Sequence, residues 1–135
     1  MDTNQLNCGQ DAEKHRNPRI LIADDTPGSR ELLRSILDRC GYEIVEVGDG
    51  SEILGCALAF KPHLVILDLQ MPRLDGCTVA SLLRRHPGFE KIPMVALTAA
   101  VSEISADWIF AAGFTTHLVK PISPDLLRRC VASLL

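Results

Sequence analysis

A doubly wound α/β fold, one five-stranded parallel sheet between two layers of helices, is the architecture this sequence predicts. Two observations lead to it. Short apolar runs alternate five times in succession with segments of helical periodicity. Such strict alternation implies a parallel sheet, with right-handed crossovers placing helices on both faces. Two of the runs, RILIAD (19–24) and HLVILDL (63–69), are apolar almost without a break. Strands covered on both faces look like this.

The elements follow in order. After the first strand, SRELLRSILDRCG (29–41) places Leu32, Leu33, Ile36, Leu37 and Cys40 at helical spacing, with Gly41 as the stop. YEIVEV (42–47) is rich in β-branched residues but carries Glu43 and Glu46, which suits an edge strand. GDGSEILGCALAF (48–60) opens on turn residues, with Ser51 as its predicted cap. It sets Ile53, Leu54, Ala57 and Leu58 on one helical face. Beyond the strand at 63–69, DGCTVASLLRRH (75–86) turns Val79, Leu82 and Leu83 inward, with Asp75 read as its N-cap. PMVALTA (93–99) is a strand whose proline fits only at the entry. SEISADWIFAAG (102–113) is a helix ending at Gly113, and THLVK (116–120) is the last strand. SPDLLRRCVASLL (123–135) opens on Ser123 as N-cap with Pro124 in the first turn. It is expected to bury Leu126, Leu127, Cys130, Val131 and Leu134. Residues 1–18 are polar and aperiodic, so a disordered tail is expected before a single domain over 19–135.

Composition narrows the function. With 135 residues, 47% hydrophobic and 23% charged, the chain matches an ordinary globular domain. A net charge of −3 supplies no basic surface for nucleic acid. No apolar run reaches the roughly 18 residues of a membrane span, and the polar N-terminus lacks a signal-peptide centre. Cys8, Cys40, Cys56, Cys77 and Cys130 lie far apart with no metal-ligand spacing, which reads as reduced thiols in a cytoplasmic protein.

In an open parallel sheet, ligands sit at the carboxyl ends of the strands. The first strand ends in Asp24–Asp25, the third in Asp68, the fourth in Thr98 and the fifth in Lys120–Pro121. The second ends in Val47–Gly48 and offers no chemical group. Singly, each polar residue has a plain reading: Asp24–Asp25 before Thr26–Pro27 can cap a helix, and Asp68 can serve a turn. Together they place three carboxylates, a hydroxyl and an amine on one rim. Three carboxylates repel one another, which raises pKa values or draws in a cation. Mg²⁺ suits such a site, and a lysine and a hydroxyl suit phosphoryl oxygens. An aspartate beside a metal can itself be the nucleophile that forms an acyl phosphate.

ILIADD, VILDLQMPRLDG, MVALTA and LVKPI resemble, in order and spacing, the receiver (response-regulator) domain of two-component phosphorelays. The resemblance spans residues 19–135. It implies a flavodoxin-like (βα)5 sheet with strand order 2-1-3-4-5. It implies that Asp68 is the phosphoacceptor, and that Asp24, Asp25, Asp68 and the backbone carbonyl of Gln70 bind Mg²⁺. It makes Thr98 the switch hydroxyl and Lys120 its charge partner, with a cis Lys120–Pro121 bond. The phosphoryl donor would be a histidine kinase or a histidine phosphotransfer protein. The domain would be a signalling module and not an enzyme, beyond self-phosphorylation from small donors and autodephosphorylation.

One position departs from the family pattern. His117 stands where an aromatic switch, Tyr or Phe, is common. It either swings between exposed and buried positions or is a plain strand residue. The signal is expected to leave through the fourth helix, fifth strand and fifth helix. One helix face can bury only part of Trp108, Ile109 and Phe110, so an apolar patch is expected there as a partner or homodimer surface. Two other functions compete. An aspartyl-phosphate-type phosphatase needs an acid/base aspartate two residues beyond the nucleophile, where this chain has Gln70. A flavodoxin-like mononucleotide binder needs a phosphate loop less acidic than DDTPGS.

Overall fold

The computed structural model describes residues 17–71, 75–99 and 106–135. Five parallel strands, β1 (Arg19–Ala23), β2 (Glu43–Val47), β3 (Leu64–Asp68), β4 (Met94–Thr98) and β5 (Thr116–Val119), pair in the order β2-β1-β3-β4-β5. The helices are α1 (Pro27–Asp38), α2 (Gly50–Phe60), α3 (Gly76–Arg84), α4 (Ala106–Ala111) and α5 (Pro124–Leu134). The expected tail through residue 16, residues 72–74 of the MPRLDG stretch, and residues 100–105 ahead of α4 lie outside the described residues.

Strand side chains alternate between faces. Leu21, Ala23, Val65 and Leu67 therefore pack under α2, α3 and α4 with Ile53, Val79, Leu83 and Ile109. Ile20, Ile22, Leu64 and Ile66 pack on the opposite face with Leu33, Leu37, Leu127 and Val131 of α1 and α5. Both faces are covered by helices, which is why the central strands read as unbroken apolar runs. β2 lies at one edge, as Glu43 and Glu46 predict.

Several local expectations are corrected. α1 begins at Pro27, two residues before the predicted start, because proline is preorganised for the first turn. Asp49, not Ser51, caps α2: its carboxylate accepts from the Ser51 amide at 3.0 Å and the Ser51 hydroxyl at 3.1 Å. Asp75 and Ser123 do cap α3 and α5. Leu126, expected inside, is 52% exposed, and Leu32 and Leu58, which share helical spacing with core residues, are 50% and 41% exposed. Helical spacing places each beside a buried residue, but a helix lying on a flat sheet covers a narrower stripe than four or five apolar positions.

Candidate functional site

At the carboxyl edge of the sheet, β1 and β3 are neighbours whose connections leave in opposite directions, to β2 and to β4. Asp24 follows β1, and Asp68 is the last residue of β3. Both carboxylates are buried, Asp68 at 3% exposure, while Asp25 is half-buried. One carboxylate oxygen from each of Asp24, Asp25 and Asp68 lies within 4.8 Å of the others. Lys120, just past β5, reaches across β4, and its Nζ lies 3.0 Å from Asp68 Oδ2 and 3.2 Å from Asp24 Oδ2. The Lys120–Pro121 bond is cis, as expected.

The two buried carboxylates differ in support. Burial pushes Asp24 up, but the Ser29 hydroxyl at 2.7 Å, the Thr26 amide at 3.0 Å and Lys120 outweigh it, so its pKa lies below the ordinary value. Burial pushes Asp68 up, and Asp24 adds to it. The Gln70 amide at 3.0 Å and Lys120 offset only part, leaving its pKa raised. Burial pushes Lys120 down, yet Asp68 and Asp24 hold it above its usual value. The Lys120 ammonium thus pairs with two of the three carboxylates, Asp24 and Asp68. The donors are all oxygen and closely spaced, which fits a hard divalent cation such as Mg²⁺.

Thr98, fully buried, ends β4, and its carbonyl accepts from the Lys120 amide at 2.8 Å. The buried hydroxyl residue and the lysine are thereby held in one register. Gln70 is exposed, with its backbone folded back on Asp68. His117 lies half-buried in mid-β5, paired with Ala96, beside a hollow of about 250 Å³ bounded by Asp107, Phe110 and Phe114.

The glycine of the LDG stretch has a steric cause. A Cβ on Gly76 would lie 2.8 Å from the Asp68 carbonyl oxygen and 3.0 Å from Leu69 Cα. Backbone cannot step aside as a side chain can, so only glycine lets α3 begin against the backbone that carries Asp68. Gly76→Ala is expected to lower stability by roughly 1–3 kcal/mol, the usual overpacking range, despite the better helix propensity of alanine. Urea denaturation checks this, and a midpoint at or above the parent value would contradict it.

Other contacts were not foreseen from the residues alone. Ser29 and Arg30, in the first turn of α1, hold Asp24 by its carboxylate and by its carbonyl. The end of β2, expected to be chemically silent, is not: the Val47 carbonyl accepts from the Asp24 amide at 3.1 Å, and Gly48 lies beneath the Arg30 guanidinium. The signal available was position, since Ser29 and Arg30 lie five and six residues past Asp24 in the first turn of a helix that starts at the rim.

The family model described as the response regulator receiver domain matches residues 20–132. The DNA-binding response regulator MtrA of Mycolicibacterium smegmatis is 34% identical over 117 residues, which are 86% of this chain and 50% of that protein. The transcriptional regulatory protein PhoP of Bacillus subtilis, named for alkaline phosphatase synthesis, is 34% identical over 119 residues, 88% of this chain and 49% of that protein. The chain spans about half the length of these relatives. Chemotaxis response regulator CheY4 of Vibrio cholerae superimposes with a TM-score of 0.83 at 28% identity, covering 88% of this chain and 99% of that one. With the matched model running from β1 into α5, and the strand order and acidic rim in place, the chain belongs to the response regulator receiver domain family.

Proposed function

We propose that this receiver domain is a phosphoacceptor switch in which Asp68 takes a phosphoryl group from the phosphohistidine of a histidine kinase or a histidine phosphotransfer protein. The observation that carries this reading is the buried Asp68 carboxylate, held between Asp24 and the Lys120 ammonium at the end of a central strand. A carboxylate oxygen of Asp68 attacks phosphorus. The P–O bond forms as the P–N bond breaks, and the imidazole leaves with the electron pair. Lys120 offsets charge on the transferred oxygens, and Thr98 offers them a hydroxyl. Asp24, Asp25, Asp68 and the Gln70 carbonyl would hold Mg²⁺, which when bound would supply charge neutralisation and orientation of the phosphoryl oxygens.

Phosphorylation of Asp68 adds charge and acceptor oxygens beside Thr98. Movement of the Thr98 hydroxyl toward them draws on the chain that Lys120 shares, and the hollow beside His117 gives that side chain room to follow. On α4, Trp108 and Phe110 are 50% and 71% exposed while Ile109 is buried, and Val119 of β5 is also exposed. We assign this apolar surface of α4, β5 and α5 to partner binding or homodimerisation. Phosphorylation is expected to shift amide resonances in β5 and α4, and unchanged spectra there would contradict this route.

Mg²⁺ titration followed by NMR tests the metal site. Amides of Asp24, Asp25 and Gln70 are expected to shift at millimolar-scale Mg²⁺, and Asp25→Ala is expected to remove the response. The effect weakens as pH falls through the raised Asp68 value, because a protonated carboxyl is a lost ligand. No response in the parent protein contradicts the metal site. Multiple turnover on diverse phosphate esters would instead support a phosphatase.

A further inference from the structure

We infer that Arg30 is a positioning residue for the acidic rim, seated on Gly48, and that it sets the affinity of the site for its divalent cation. The inference rests on the metal-dependent reading above. Arg30 Nη1 donates to the Asp24 carbonyl at 2.6 Å, and its Nε lies 3.5 Å from Glu46 Oε1. Glu46 is held in turn by Arg34 at 2.7 Å. The guanidinium therefore spans from α1 to the exits of β1 and β2. It crosses directly over Gly48, where a Cβ would fall 2.6 Å from Nη1 and 3.1 Å from Cζ. The space above Gly48 is the seat of the arginine, and any side chain there displaces it.

Asp24 is consequently gripped at three points by the N-cap and first turn of α1: its Oδ1 by the Thr26 amide, its Oδ2 by the Ser29 hydroxyl, and its carbonyl by Arg30. The carbonyl contact matters most for Asp25, because the Asp24 carbonyl belongs to the peptide plane that leads into Asp25. Fixing that plane fixes where the Asp25 carboxylate projects. Residues that orient metal ligands without touching the metal commonly change affinity by about 10- to 100-fold when removed.

Charge and positioning give opposite signs here. Arg30 is a cation near a cation site, so a purely electrostatic role means that Arg30→Ala tightens Mg²⁺ binding. A positioning role means that it weakens binding. Gly48→Ala separates the two further, since it keeps the arginine and its charge but lifts the guanidinium off Asp24.

The test is Mg²⁺ titration by NMR of folded parent, Arg30→Ala, Gly48→Ala and Arg34→Ala, with amide exchange of residues 24–26 measured in metal-free protein. Arg30→Ala is expected to weaken Mg²⁺ about tenfold, Gly48→Ala to weaken it in the same direction, and both to speed exchange at Asp25. Arg34→Ala shares Glu46 but does not touch Asp24, and is expected to bind like the parent. Unchanged or tighter binding by Arg30→Ala overturns the inference while leaving the proposed function intact. A parent protein that does not bind Mg²⁺ overturns both.

Discussion

Asp68→Asn is expected to bring phosphorylation to background while the domain remains folded and melts at a higher temperature than the parent. Asparagine has the shape of aspartate but no nucleophilic carboxylate. It also removes one of three negative charges from a rim that holds a single ammonium. The sign follows from the raised pKa of Asp68. A carboxyl whose pKa is higher folded than unfolded disfavours folding once it is ionised, so stability is lost as pH rises through that range. Removing the ionisable group removes the penalty. Lys120 keeps Asp24 as a partner, so no buried charge is orphaned. Thermal melts near neutral pH check the direction. Because the penalty needs an ionised Asp68, the gain should shrink in acid, and a gain that grows in acid would contradict this origin.

Arg84→Ala is expected to destabilise the domain by about 3 kcal/mol without altering the chemistry of the rim. Arg84, at the end of α3, donates from Nε at 3.0 Å and Nη2 at 2.7 Å to the Gly113 carbonyl. It also donates from Nη1 to the Phe89 carbonyl at 2.8 Å and the Ile92 carbonyl at 2.6 Å. It ties α3 to the segments entering β4 and β5, and burial pushes its pKa below the usual arginine value without displacing it from the charged form. Hydrogen bonds to a charged donor contribute roughly 1.5–3 kcal/mol each, and partial exposure lets water replace some of them. A loss of about 3 kcal/mol corresponds to a fall in Tm of roughly 10 °C. Arg84→Lys is expected to recover little, because an ammonium cannot fork toward three carbonyls as a guanidinium does. A melt within a degree or two of the parent would contradict this role.

How legible these features were depends on whether they are local. Asp24, Asp25, Asp68, Thr98 and Lys120 could be gathered on one rim from the sequence because parallel strands all end on the same side. A residue at a strand end has its place once the alternation is read. The edge position of β2 was legible for a similar reason, from Glu43 and Glu46. Arg30, Gly48 and Arg84 were not legible, because each acts across elements that only tertiary packing brings together. Arginines in amphipathic helices look alike until one is found stretched over a neighbouring turn. The three exposed leucines show the limit of periodicity, which locates the centre of a buried stripe but not its width. Asp49 and Ser51 show another: two good capping residues lie two apart, and the backbone decides which one precedes the first turn.

The most direct measurement is to incubate the purified protein with Mg²⁺ and a small phosphodonor such as acetyl phosphate, then map the modification by peptide mass spectrometry. The expected result is a single phosphoryl group on the peptide containing Asp68, dependent on Mg²⁺ and labile to base, and absent from Asp68→Asn. Phosphate on another residue, or undiminished incorporation in Asp68→Asn, would contradict the assignment of Asp68 as the phosphoacceptor.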